Sequence, residues 1–243
     1  MTMEKHLYFA ILVYFLLGAA AFARIARKKD KAAKRAIWIK YFTYLFIIHA
    51  FFVSIYFGPH FFTYLGIVIV LAGLVELLYT SYAYRQSKPL KFLAISLIVY
   101  MFLAWGFIRF TTLDKGTLYF AFFVVTVFDA FSQISGQLAG GRKLWPSISP
   151  KKTISGLVGG GILACTTGMI LSDVVGVPVL YALFFALIIV IFALAGDLLA
   201  SFYKRCHGVK DFSRLIPGHG GFLDRFDSII PGGAVMYLLN SLL

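Results

Sequence analysis

Residues 178–202 read PVLYALFFALIIVIFALAGDLLASF, twenty-five positions with a single charge, Asp197. Wound as an α-helix at 1.5 Å per residue, the run is about 37 Å long and crosses a hydrocarbon core of about 30 Å. Further apolar runs surround it, at about 7–23, 37–57, 61–80, 92–108, 117–135, 154–172 and 229–243. The last is short and opens Ile229-Ile230-Pro231-Gly232-Gly233, which reads as a tilted, broken or docked helix rather than a full span. The expected fold is an all-α polytopic membrane protein with about eight transmembrane helices.

Composition points the same way. The 243 residues are 60% hydrophobic and 14% charged, with mean hydropathy +0.87, more apolar surface than one soluble core can bury. The 26 Phe and 14 Tyr suit acyl chains and headgroup borders respectively. A net charge of +13 belongs on loops against anionic headgroups, or against an anionic substrate such as a phosphate. Cys165 and Cys206 have no spacing that suggests a disulfide framework or a zinc site. The first apolar run leads into a long basic segment, so it is expected to anchor the chain rather than to be a cleaved leader.

Lys and Arg set the orientation. Twenty of the 23 fall in or flank the connections after the first, third, fifth and seventh runs, leaving Lys5, Arg109 and Lys115 on the other side. The basic side is expected to be cytoplasmic, with both termini outside. Residues 1–116 are then about four apolar spans with short loops. Residues 117–243 hold the Gly, Pro and charge clusters, where irregular backbone must line a cavity.

The ten acids are informative by position. Glu76, Asp129 and Asp197 lie inside predicted spans, about two turns from their cytoplasmic ends. A carboxylate there is costly unless paired, metal-bound or in a wet cavity, and Glu76 is served equally by a simple interhelical hydrogen bond. The richest polar stretch runs from Ser201 through Lys204, Arg205, Lys210 and Asp211 to Gly218, His219, Gly220, Gly221, Asp224, Arg225 and Asp227. Its glycines let backbone N–H groups approach a phosphate. Asp224 and Asp227, three apart, share a helix face and offer hard oxygens of the kind Mg²⁺ takes. A positive-inside loop with a glycine-rich turn would explain the Lys and Arg, but not the acids threaded among them.

In order, Ser201 to Asp227 gives Ser, two residues, Lys-Arg, four residues, Lys-Asp, then Pro-x-His-Gly-Gly and Asp-Arg-x-Asp. This resembles the signature of the phosphatidate cytidylyltransferases, or CDP-diacylglycerol synthases, with about fifteen defined positions in register over 27 residues. Tyr203 stands where the family has an aliphatic residue or Phe, a mild change, and Gly196-Asp197 resembles its upstream Gly-Asp pair. Ser149-Pro150-Lys151-Lys152-Thr153 with Gly156 resembles a second family run, although Ser155 replaces a common acid. Gln133 and Gln137 stand where members carry Tyr and a basic residue. The resemblance covers 117–243 well and the N-terminal half only as a hydrophobic pattern.

The resemblance implies transfer of a cytidylyl group from CTP to phosphatidate, giving CDP-diacylglycerol and pyrophosphate for phospholipid synthesis. It implies Asp197, Asp224 and Asp227 as ligands of Mg²⁺, with a second cation as an option, and these with Lys210 and Arg225 as the catalytic set. Lys204, Arg205, His219, Gly220 and Gly221 would meet the nucleotide phosphates, and Ser149, Lys152 and Thr153 the lipid phosphate or the nucleotide. The partners implied are CTP, phosphatidate or a related lipid phosphate, and membrane lipids, with a homodimer left open and no nucleic acid. The setting implied is a bacterial cytoplasmic membrane with the catalytic loops facing the cytoplasm. A CTP-dependent polyprenol or phytol kinase is the nearest alternative and an ion-coupled transporter a more distant one. The motif of CDP-alcohol phosphotransferases is absent, because Ser228 follows Asp227 where that motif has Gly.

Overall fold

The computed structural model describes residues 30–84, 89–216 and 220–242, with scattered positions between 5 and 27. The first predicted span, at 7–23, therefore lies largely outside the described residues, as do Gly218 and His219. Among the described residues the chain forms helices wherever a span was expected. They are α1 (Lys31–Phe57), α2 (Pro59–Ala83), α3 (Leu90–Phe110), α4 (Lys115–Ala139), α5 (Ile154–Ile170), α6 (Ser172–Val175), α7 (Val179–Cys206), α8 (Leu223–Phe226) and α9 (Ile229–Asn240). Five of these, α1 to α4 and α7, are long and apolar enough to cross a membrane, and α5 and α9 are shorter apolar helices. The chain is an all-α polytopic membrane protein.

Local chemistry sets the helix ends. Asp30 accepts the Ala33 N–H at 2.8 Å, so α1 starts six residues before the predicted run. Gly58, at φ +117°, turns the chain straight into Pro59, which takes the first position of α2. Asp114 caps α4 by accepting from the Thr117 N–H at 3.0 Å and its hydroxyl at 2.6 Å. At its far end α7 runs past the apolar stretch to Cys206, carrying Lys204 and Arg205 in its last turn where cations suit the helix dipole. The four residues 203–206, beyond the predicted end of the span at 202, are therefore helical. Because α4 and α7 outrun their predicted ends, Asp129 and Asp197 lie between about two and three turns from them, at about 3.6 residues per turn.

The short last run is a docked helix. At 12 residues α9 is about 18 Å long, too short to span, and nearly all of its residues are buried between α3 and α7. Small residues permit the approach: a Cβ on Gly106 would lie 2.8 Å from that of Ala234, and one on Gly196 would lie 2.3 Å from Pro231 Cγ. α5 lies similarly close along α4, where a Cβ on Gly156 would sit 2.5 Å from the Ser132 carbonyl. An aromatic core that includes Phe51, Phe62, Phe107, Phe110 and Phe226 ties these helices together.

One element departs from helix. Residues 143–153 form an antiparallel hairpin, β1 (Lys143–Trp145) and β2 (Ser149–Thr153), with Lys143 opposite Thr153 and Trp145 opposite Ser149. Strands of three and five residues carry too little periodicity to be read from sequence. Arg205 fastens the hairpin to the end of α7, donating from Nε to the Ile148 carbonyl at 3.2 Å and from Nη1 to the Val209 carbonyl at 2.9 Å.

Candidate active site

The signature stretch is built around two buried carboxylates. Asp224, on α8, accepts from Lys204 Nζ at 2.5 Å, from the Phe212 N–H at 2.9 Å and from the Gly221 N–H at 2.8 Å. Both its oxygens are engaged, and the Lys204 ammonium also lies 5.2 Å from the Phe212 ring centre. Glu76, reaching across from α2, accepts from the Ser213 hydroxyl and from the N–H groups of Phe222 and Leu223 at 2.5, 2.8 and 2.7 Å. Those two amides open α8 and would otherwise be unpaired in a buried place. Glu76 is 2% exposed, and sequence reasoning had no means of choosing its partners, which lie 137 to 147 residues away.

The glycines serve this frame. Gly220 adopts φ +83°, where a side chain would be strained and its Cβ would lie 3.0 Å from Asp224 Oδ2. Tyr203, the departure within the signature, is an anchor: its hydroxyl donates to the Leu77 carbonyl at 2.9 Å and its ring stacks between Phe92 and Phe212.

A second group of acids, held partly exposed, clusters where α4, α7 and the α8–α9 junction meet, a region termed the cleft. Asp129 is exposed despite its place inside the bundle, and its Oδ1 accepts from Ser228 at 3.3 Å. Asp197 accepts from Ser201 at 3.2 Å and is ion-paired with Lys152 of β2, both side chains about a quarter exposed. Asp227 sits close enough to Asp197 and Asp129 to feel their charge, with Lys204 and Arg225 opposing them. Burial first, then Asp197, pushes the Asp227 carboxyl well above the usual carboxylate range. Arg225 donates to the Tyr44 hydroxyl at 3.1 Å, while its buried Nε has no partner among the described residues.

The structure thus brings Asp197, Asp227, Lys152 and Arg225 together and adds Asp129. Lys204 and Asp224 lie beside them but are spent on each other. Thr153 is buried, and its hydroxyl caps α5 by accepting the Gly156 N–H at 3.1 Å. Ser155 donates to the Gly140 carbonyl and its hydroxyl oxygen lies 3.0 Å from Thr153 Oγ1, tying the end of α4 to the start of α5. Ser149 is half-buried on β2, whereas Lys210, Gln133 and Gln137 are exposed.

A hard cation is compatible with this donor set. Three carboxylates near enough to repel one another offer oxygen ligands, yet among the described residues no three acidic, histidine or cysteine side chains converge on one point. Mg²⁺ suits such a set, since it commonly takes one or two protein carboxylates and completes its shell with substrate phosphates and water.

The fold and cleft define a polytopic membrane protein with a mixed acidic and basic site at one end of its bundle. Its sequence matches the model of the cytidylyltransferase family over residues 1–243, and the chain belongs to that family. It is 42% identical over 172 residues to a phosphatidate cytidylyltransferase of Staphylococcus saprophyticus, covering 67% of this chain and 64% of the relative. It is 37% identical over 185 residues to one of Staphylococcus epidermidis, covering 72% and 70%. A third, from Brucella melitensis, is 42% identical over 132 residues, covering 52% and 47%. The chain thus spans about two thirds of the length of the staphylococcal relatives it matches and about half that of the Brucella one.

Proposed function

We propose that the chain transfers a cytidylyl group from CTP to phosphatidate, releasing pyrophosphate and forming CDP-diacylglycerol. The observation that carries this reading is the cleft in which Asp129, Asp197 and Asp227 alternate with Lys152 and Arg225 at one end of the helices. Two polyanions can meet there only if cations are interleaved with acids able to hold a metal.

In the reaction a lipid phosphate oxygen attacks the α-phosphorus of CTP in line, and the bond from that phosphorus to the β-phosphate bridging oxygen breaks. The nucleophile is already ionised near neutral pH, so the chain need supply no strong base. Its work is to orient two anions and to offset charge on the oxygens. Arg225 and Lys210 would contact the triphosphate, and Lys152, released from Asp197, the lipid phosphate. Ser149 and the Gly220-Gly221 backbone fit the same role, with Lys204 and Arg205 holding the walls. Mg²⁺, with a second cation where one binds, would be held by Asp197 and Asp227, with Asp224 beside them, and supplies Lewis-acid neutralisation of phosphate charge.

The orientation proposed is cytoplasmic for the cleft, in a bacterial cytoplasmic membrane, because the Lys and Arg of the hairpin and of the end of α7 lie on that side. A single thiol at Ser147, in a protein with Cys165 and Cys206 replaced by Ser, should react only with reagent admitted to the interior. Reaction from outside intact cells reverses the orientation. Assembly as a homodimer belongs to the same proposal and is tested by light scattering in detergent.

The deciding experiment incubates purified protein with α-labelled CTP and phosphatidate. Labelled CDP-diacylglycerol with pyrophosphate supports the reading. Release of CDP with a phosphorylated alcohol as product overturns it in favour of a lipid kinase.

A further inference from the structure

Two apolar hollows run into one another along the side of the bundle. One, of about 330 Å³, is lined by residues that include Ile98 and Phe102 of α3 and Phe192 of α7. The other, of about 190 Å³, reaches inward past Leu77, Phe202 and Phe212 to Asp227. Val99, Leu103, Gly196, Leu199 and Pro231 line both, so the two form one groove between α3 and α7, floored by the start of α9. The outer rim faces where acyl chains would lie, with Ile98 69% and Phe102 61% exposed.

The polar groups in its wall are already spent. Tyr100 donates to the Val70 carbonyl at 2.7 Å, Ser96 to the Phe92 carbonyl at 2.8 Å and Tyr203 to the Leu77 carbonyl at 2.9 Å. Among the described residues that line it, the wall away from Asp227 offers no unpaired side-chain donor or acceptor, which suits an alkyl chain and penalises a polar ligand. Among the described residues, the one charged residue that lines the groove is Asp227, a member of the acidic cluster. The floor is tight: a Cβ on Gly196 would lie 2.2 Å from the Asp227 carbonyl oxygen, which sets the groove beside Asp197.

We propose that this groove holds an acyl chain of the acceptor lipid, which enters sideways between α3 and α7 and presents its phosphate to the cleft at Asp227 and Asp197. The inference rests on the cytidylyl-transfer reading above and adds the route and seat of the lipid. The end of the groove at Asp227 is what selects a substrate chain over bulk lipid, because a headgroup brought there would meet the charges that cluster around Asp227, Asp197 and Arg225 among them.

The test uses the full chain in phosphatidylcholine vesicles containing a trace of phosphatidate with a diazirine on one acyl chain. After illumination, peptides carrying Ile98 to Leu103 and Leu199 to Phe202 should be labelled several-fold more by this probe than by a phosphatidylcholine with the same diazirine. Equal labelling by the two probes means that bulk lipid merely wets the face, and overturns the proposal. In parallel, Val99→Trp narrows the groove and should change the ratio of kcat/KM for long-chain to dioctanoyl phosphatidate by roughly tenfold, the scale on which apolar pockets discriminate. An unchanged ratio also overturns it. If the variant does not fold, the wild-type labelling decides. Selective labelling without cytidylyl transfer would keep the groove and reject the reaction; transfer without selective labelling would do the reverse.

Discussion

Glu76 and Asp224 are held in the opposite way to Asp129 and Asp197, although all four are carboxylates at the same end of one bundle. The first two are buried and accept three hydrogen bonds each, mostly from backbone amides. The second two lie partly exposed in the cleft and accept single hydroxyl bonds of 3.2 to 3.3 Å, with one partly exposed ion pair between Asp197 and Lys152. A saturated carboxylate defines a shape, because any ligand must first displace donors that would then be left unpaired. A loosely held one can exchange its partner for a substrate or a metal at small cost. Within this site, framework and chemistry are divided between two sets of the same functional group.

The sharpest way to break that division is Lys204→Met, which strands the Asp224 charge in a buried setting and should cost about 3–5 kcal/mol of stability. Adding Asp224→Asn, which keeps an acceptor for the Phe212 and Gly221 amides, should restore more than half of the lost melting temperature in detergent. If Lys204→Met melts like the parent, the buried pair is not what holds the signature stretch.

Asp197→Asn should do the converse. Its pair with Lys152 is partly exposed, so stability should change by less than about 1 kcal/mol, while turnover of CTP should fall roughly 100-fold or more. Equal loss of stability and turnover would place Asp197 in the framework.

Glu76→Gln retains one acceptor oxygen and should cost about 1–2 kcal/mol, together with a few-fold rise in the KM for CTP. Insensitivity of both quantities would show that α8 holds its place without the clamp from α2.

The smallest effect is expected at exposed Gln137, on the α4 side. Gln137→Lys should alter the ranking of lipid phosphates by a few-fold while leaving the apparent affinity for CTP nearly unchanged. A shift in CTP affinity with an unaltered lipid ranking would move Gln137 to the nucleotide side of the cleft.

Much of this was open to reading because a membrane makes length and apolarity decisive. A run such as 178–202 has few alternatives to a helix once lipid is its solvent, since each backbone group must then be satisfied within the segment. The position of Asp197 near one end, and the register of Lys204, Arg205, Asp224 and Asp227, were likewise legible from local spacing. The hairpin at 143–153 was not, because its strands are short and polar and its pairing depends on the helices at either end. The reach of α7 to Cys206 was missed because hydropathy falls at Tyr203 while the helix continues on its own hydrogen bonds, with Tyr203 and Lys204 packed into the signature stretch.

From sequence alone came a polytopic helical membrane protein and the charged stretch proposed to meet phosphate, which follow from composition and short-range pattern. Tertiary structure decided which acids are saturated and which are loosely held, because hydrogen-bond saturation depends on groups distant in the chain. Glu76 meets Phe222 and Leu223 only when α2 stands beside α8, and Asp129 meets Ser228 only when α4 stands beside the start of α9. No local pattern encodes those meetings, since it is packing of the helices that brings them about.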